Sequence, residues 1–65
     1  MKFPLITIGI LSYNASDTIQ RAIQSACRQN WENKEILIID DASTDKSVSV
    51  IQNTIHDIPY ARLIV

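Results

Sequence analysis

Two runs of β-branched and aliphatic residues, each closed by a polar cluster and followed by a helix-length stretch, constrain this chain most. Leu5-Ile6-Thr7-Ile8-Gly9-Ile10-Leu11 is almost uniformly apolar, the pattern of a strand covered on both faces. Pro4 stands at its start, where a missing N–H does little harm. Glu35-Ile36-Leu37-Ile38-Ile39-Asp40 is a second run of the same kind, and Arg62-Leu63-Ile64-Val65 begins a third. Between the first two, Ile19, Ala22, Ile23, Ala26 and Cys27 recur at i, i+3, i+4, i+7 and i+8, one apolar helical stripe. Ser16 is the expected N-cap, Asp17 places negative charge beside the positive end of the dipole, and Arg28 suits the last turn. In the second connection Val48, Ile51 and Ile55 mark the apolar side of a helix that Pro59 cannot continue. Ser43 or Thr44 is its expected cap, and Asp45 suits its first turn.

Strand, helix, strand, helix, strand predicts an α/β segment with a parallel sheet and right-handed crossovers. Strand order 3-2-1 then puts both helices on one face. The other face would show Ile and Leu side chains to solvent, and the first strand would be an open apolar edge. An isolated domain is not built this way, so the pattern implies further chain or self-association through the uncovered face. At 65 residues, one small domain is the upper limit. Cys27 is the only cysteine, which excludes an internal disulfide and a Cys/His zinc cluster and fits a reducing compartment.

The formal net charge is −1, with Lys2, Arg21, Arg28, Lys34, Lys46 and Arg62 scattered along the chain. That distribution argues against a nucleic-acid or anionic-membrane footprint. No apolar run approaches the roughly 20 residues of a membrane helix. After Lys2 the apolar stretch is short and Ser12, Tyr13 and Asn14 interrupt it, unlike a secretory signal. The expected location is cytoplasmic, with membrane association through downstream chain as the alternative.

Ligands of open parallel sheets bind beyond the carboxyl ends of the strands. Two polar clusters fall there: Ser12-Tyr13-Asn14 after the first strand and Asp40-Asp41 after the second. Neighbouring parallel strands would set them side by side, offering an aromatic face, carboxylate acceptors and small polar groups. That set suits a nucleoside, with a base stacked on Tyr13 and a carboxylate accepting from a base N–H or ribose hydroxyl. Asp40-Asp41 could equally end a strand and favour the next helix; the Tyr13 cluster alongside tips the reading toward binding. Cys27 reads as core, Trp31 as packing over the end of the first helix, and His56 as a surface residue. Asn14-Ala15-Ser16 matches a glycosylation sequon by chance.

The order of these clusters resembles the N-terminus of family-2 glycosyltransferases of the GT-A fold. The resemblance lies in Ile8-Gly9-Ile10-Leu11-Ser12-Tyr13-Asn14, the helix ending Cys27-Arg28-Gln29-Asn30-Trp31, and Glu35-Ile36-Leu37-Ile38-Ile39-Asp40-Asp41-Ala42-Ser43-Thr44-Asp45. It covers essentially the whole chain and implies a Rossmann-like βαβαβ part of a larger catalytic domain. Tyr13 would pack on the nucleotide base and Asp41 would recognise it. Leu11 and Ser12 would line the nucleoside pocket, Asn14 would shape the turn, and Asp40 would support the site or touch the nucleoside. Ala42 stands where the family often has glycine, a change read as mild. The implied reaction is sugar transfer from a nucleoside-diphosphate donor, expected to be a uridine-diphosphate sugar, to a hydroxyl acceptor. A magnesium or manganese ion would hold the diphosphate, through an Asp-x-Asp motif that these residues lack, as they lack the family's catalytic base. A phosphoreceiver domain is the rival reading, but its acidic pair should follow the first strand. A dinucleotide-binding unit would need G-x-G-x-x-G, and Gly9 is the only glycine. A non-catalytic interaction domain explains neither polar cluster.

Overall fold

A computed structural model describes residues 4–65. Lys2, counted above among the scattered cations, lies outside them. The elements run β1 (Ile6–Ser12), α1 (Ile19–Cys27), β2 (Lys34–Asp40), α2 (Ser47–Ile55) and β3 (Ala61–Ile64). All strand pairs are parallel and the order is β1-β2-β3, the same sheet as the expected 3-2-1.

Strand residues alternate between faces, and the alternation decides where the core sits. Ile36 and Ile38 of β2 are buried in one cluster with Ile19, Ile23 and Ala26 of α1 and Ile51 of α2. Ile8, Ile10, Ala61 and Leu63 pack against that cluster from the flanking strands. Both helices therefore cover a single face. On the other face Leu11 pairs with Ile39 and Ile39 with Ile64, an apolar row across all three strands. These side chains are 83%, 38% and 49% exposed respectively. Only the carboxyl half of this face is apolar. Toward the amino ends it carries Thr7, whose hydroxyl donates to Glu35 Oε1 at 2.6 Å, and Arg62. The expected exposure of Ile and Leu side chains on this face is thus observed, alongside these polar residues.

Helix starts also differ from expectation. Ser16 is not the cap of α1: the helix begins at Ile19 behind Thr18, with no side-chain cap bond. The Ala15 carbonyl instead accepts the Ile19 N–H at 2.8 Å. Asp17 accordingly precedes the first turn, and Arg28 is the C-cap residue. Ser43 and Thr44 do not cap α2: the N-cap is Lys46, with no side-chain cap bond, and Asp45 Oδ1 just before it accepts the Ser47 N–H at 2.8 Å. Within the helices, Ala22 is exposed, and Val50 rather than Val48 joins Ile51 and Ile55 against the core. With α2 starting at Ser47, the buried line runs through Ser47, Ile51 and Ile55, and Val48 falls to one side.

The carboxyl end of α1 is closed by a neighbour. Lys34 Nζ donates to the Cys27 and Gln29 carbonyls, each at 2.8 Å, and lies 5.9 Å from the Tyr60 ring centre. Cys27 is half-buried against the core, as read from the stripe. Trp31 Nε1 donates to the Pro4 carbonyl at 2.9 Å and lines a groove with Ala26 and Gln29 beside β1. His56 is exposed at the end of α2. Among the described residues no helix is long and apolar enough to cross a membrane.

Candidate functional site

Because β1 and β2 are parallel and in register at Ser12 and Asp40, their following loops leave the same end of the sheet together. Leu11, Ser12, Tyr13, Ile39, Asp40 and Asp41 line one open cleft of about 450 Å³ there. Five of the six expected site residues are thus brought together. Asn14, the sixth, lies outside the lining and shapes the loop: its φ is 46°, a left-handed conformation that asparagine tolerates better than most residues.

The two loops are laced by hydrogen bonds. The Asp41 N–H donates to the Ser12 carbonyl at 2.8 Å. Three successive N–H groups of the first loop point at side-chain oxygens of the second: Asn14 to Ser43 Oγ at 2.9 Å, Ala15 to Ser47 Oγ at 2.8 Å, and Ser16 to Asp45 Oδ2 at 3.3 Å. In return, Thr44 N–H donates to Asn14 Oδ1 at 2.8 Å. Sequence reasoning took Ser43 or Thr44 for a helix cap and Asp45 for a first-turn charge, and missed this lacing. Their small polar side chains did signal bonding to backbone N–H groups, but not that the N–H groups belong to another loop.

Asp40 is 3% exposed and takes no part in the cleft surface through a free oxygen. Its Oδ1 accepts the Ser43 hydroxyl at 2.6 Å and its Oδ2 the Ser43 N–H at 2.9 Å. The Ser43 hydroxyl, then its N–H, hold the carboxyl below the usual range; burial opposes them, and the nearby Ser12 hydroxyl adds a smaller lowering. Ser12 Oγ is itself buried without a well-formed hydrogen bond. Asp45 is lowered to about 2, first by the Ser47 hydroxyl, with the Ser47 and Ser16 N–H groups assisting against desolvation.

Tyr13 and Asp41 are different. Both side chains are exposed, Tyr13 by 63%, and neither has a hydrogen-bond or ionic partner among the described residues. Tyr13 is flanked by Ser12 and Asn14, both bonded across to the other loop, and Asp41 follows Asp40, whose carboxylate is taken up by Ser43. The scaffold is occupied with itself, and these two groups are left facing the cleft with an aromatic ring and an acceptor-only carboxylate.

Ala42, read from sequence as a mild departure, has a φ of 55°. That is the left-handed region, where a Cβ is strained, so the substitution is not mild. Among the described residues no group of three His, Cys, Asp or Glu side chains is placed to hold a metal ion. The acid pair also follows the second strand, which a phosphoreceiver arrangement does not allow.

Comparison with known proteins identifies the family. Residues 7–65 match the family described as Glycosyl transferase family 2. An uncharacterized glycosyltransferase of Haemophilus influenzae is 44% identical over 55 residues, 85% of this chain and 22% of the relative. A UDP-Glc:alpha-D-GlcNAc-diphosphoundecaprenol beta-1,3-glucosyltransferase of Escherichia coli is 45% identical over 82% of this chain and 21% of its own length. An Escherichia coli chondroitin synthase is 36% identical over 97% of this chain and 9% of its own. The chain thus spans about a fifth or less of these relatives. With the family matched from the first strand to the last residue, the chain belongs to the family-2 glycosyltransferases.

Proposed function

We propose that these residues form the nucleoside-binding part of a glycosyltransferase that moves a sugar from a nucleoside-diphosphate donor to a hydroxyl acceptor. The observation that carries the reading is the pairing of Tyr13 and Asp41, exposed, unpartnered and lining one cleft at the carboxyl end of the sheet. Tyr13 offers a face for the base, and Asp41 accepts from a base N–H or a ribose hydroxyl. Leu11 contributes an apolar wall, and Ser12 contributes backbone, its carbonyl already fixing Asp41. Asn14 and Asp40 act behind the surface, as a turn former and an anchor. A uridine-diphosphate sugar is the donor we favour, in keeping with the UDP-Glc donor in one relative's name. The divalent cation implied by the family would be held by residues outside these 65.

In the intact enzyme, Asp41→Ala should weaken uridine diphosphate binding by about 1–3 kcal/mol, the scale of a hydrogen bond to a charged group. Calorimetry would read this directly. An unchanged dissociation constant for uridine diphosphate and the other nucleoside diphosphates removes the reading.

A further inference from the structure

We infer, on the basis of the nucleotide-site reading above, that Ser43 is a positioning residue whose hydroxyl sets the separation of Tyr13 and Asp41. Its Oγ accepts the Asn14 N–H at 2.9 Å and donates to Asp40 Oδ1 at 2.6 Å. A hydroxyl has a single proton, and with Asn14 N–H pointing at the oxygen, that proton goes to Asp40. Asn14 follows Tyr13 in the chain, and Asp40 precedes Asp41. One oxygen therefore ties the neighbour of each ligand-facing side chain to the other. Of the other ties between the loops, Thr44 N–H to Asn14 Oδ1 lies on the same side of Tyr13, and Asp41 N–H to the Ser12 carbonyl at 2.8 Å lies on the opposite side.

Between Asp41 and Ser43 stands Ala42 at φ 55°, a strained conformation that only surrounding bonds can hold. Loss of the Ser43 hydroxyl leaves the Asn14 N–H and one Asp40 oxygen without their partner. The strained turn then loses one of the bonds that hold it, and Tyr13 and Asp41 can shift relative to each other. The Asp41–Ser12, Thr44–Asn14, Ala15–Ser47 and Ser16–Asp45 bonds keep the loops joined. Ser43 itself is absent from the cleft lining, so its effect on ligand passes through the two side chains it places.

The test is calorimetry of uridine diphosphate binding to the intact enzyme, with Ser43→Ala and Ser43→Thr each made in the native and Asp41→Ala backgrounds. Ser43→Ala should weaken binding about tenfold, the scale of one hydrogen bond to a charged group. Ser43→Thr keeps the hydroxyl and should stay within about twofold of native. In the Asp41→Ala background the loss from Ser43→Ala should shrink to about threefold or less, because residues acting through one another are not additive. Native affinity in Ser43→Ala, no rescue by threonine, or an undiminished loss in the Asp41→Ala background overturns the inference. Native affinity in Asp41→Ala alone would instead remove the nucleotide reading, and with it the role given to Ser43. If Ser43→Ala does not fold, Asp40→Asn keeps the bulk, weakens the same bond and is compared in the same way.

Discussion

Asp45 Oδ2 accepts the backbone N–H of Ser16 at 3.3 Å, so the residue whose other oxygen takes the first N–H of α2 also secures the approach to α1. The same carboxylate takes the Ser47 N–H and hydroxyl on its other oxygen, and Ser47 Oγ in turn takes the Ala15 N–H. A single ionised group thus organises both loop exits. An acceptor-only carboxylate can do this, and a protonated one cannot do all of it.

Acid should release this arrangement in a defined window. The Asp45 carboxyl is lowered to about 2 in the folded chain, against about 3.9 for an unperturbed aspartate. A lowered folded value means that its stabilising contribution is complete above about pH 4 and lost as pH falls through about 2. An NMR titration of the Ser47 amide should show a midpoint near 2, absent from Asp45→Asn. A midpoint at the ordinary aspartate value would mean the bonds are not formed in solution.

Ala42→Gly should stabilise the protein by about 1 kcal/mol, since a left-handed alanine costs roughly 1–2 kcal/mol and glycine returns part as chain entropy. The strain is tied to the observed φ of 55°. A denaturant midpoint that is unchanged or lower in Ala42→Gly would show that residue 42 does not hold this conformation.

Lys34→Met keeps the aliphatic stem but removes the ammonium from the Cys27 and Gln29 carbonyls. The loss should be about 1 kcal/mol, the scale of a cation at a helix carboxyl end. Uridine diphosphate affinity should hold at its native value, because Lys34 begins β2 and the cleft lies at the other end of that strand. A calorimetric loss of affinity without a loss of stability would contradict both halves of this account.

Strands, order and cleft were legible because they follow from rules with little freedom. Apolar runs such as residues 36–39 have few alternatives to a buried strand, and parallel pairing forces Tyr13 and Asp41 to one end. The lacing was not legible. Serine and aspartate side chains bind whatever N–H groups lie nearby, and only the fold decides that Ser43 meets Asn14 rather than the start of α2. Ser16 is not the cap because the helix starts only at Ile19, whose N–H is taken by the Ala15 carbonyl, a start set by the loop rather than by local propensity. The strain at Ala42 was hidden because alanine does not announce a positive φ, as glycine would have.

The 65 residues on their own should not behave as a stable, active monomer. Their core is a single layer between two nine-residue helices and one face of a three-stranded sheet. The row Leu11, Ile39 and Ile64 stays open to solvent on the other face, and its first two members line the cleft. Covering such side chains is worth about 1.5–3 kcal/mol each, against a net stability of only about 5–15 kcal/mol for whole domains. Thr7, Glu35 and Arg62 lessen the problem at the amino half of the face, so the adhesive part is confined to this row. The isolated polypeptide should therefore self-associate or remain partly unfolded, with no transferase activity. Sedimentation should show species larger than the monomer, or thermal unfolding should be broad and poorly cooperative, and Leu11→Ser with Ile39→Thr should reduce association. A monomer that melts cooperatively would overturn this account, because the covered face alone would then suffice to hold the fold.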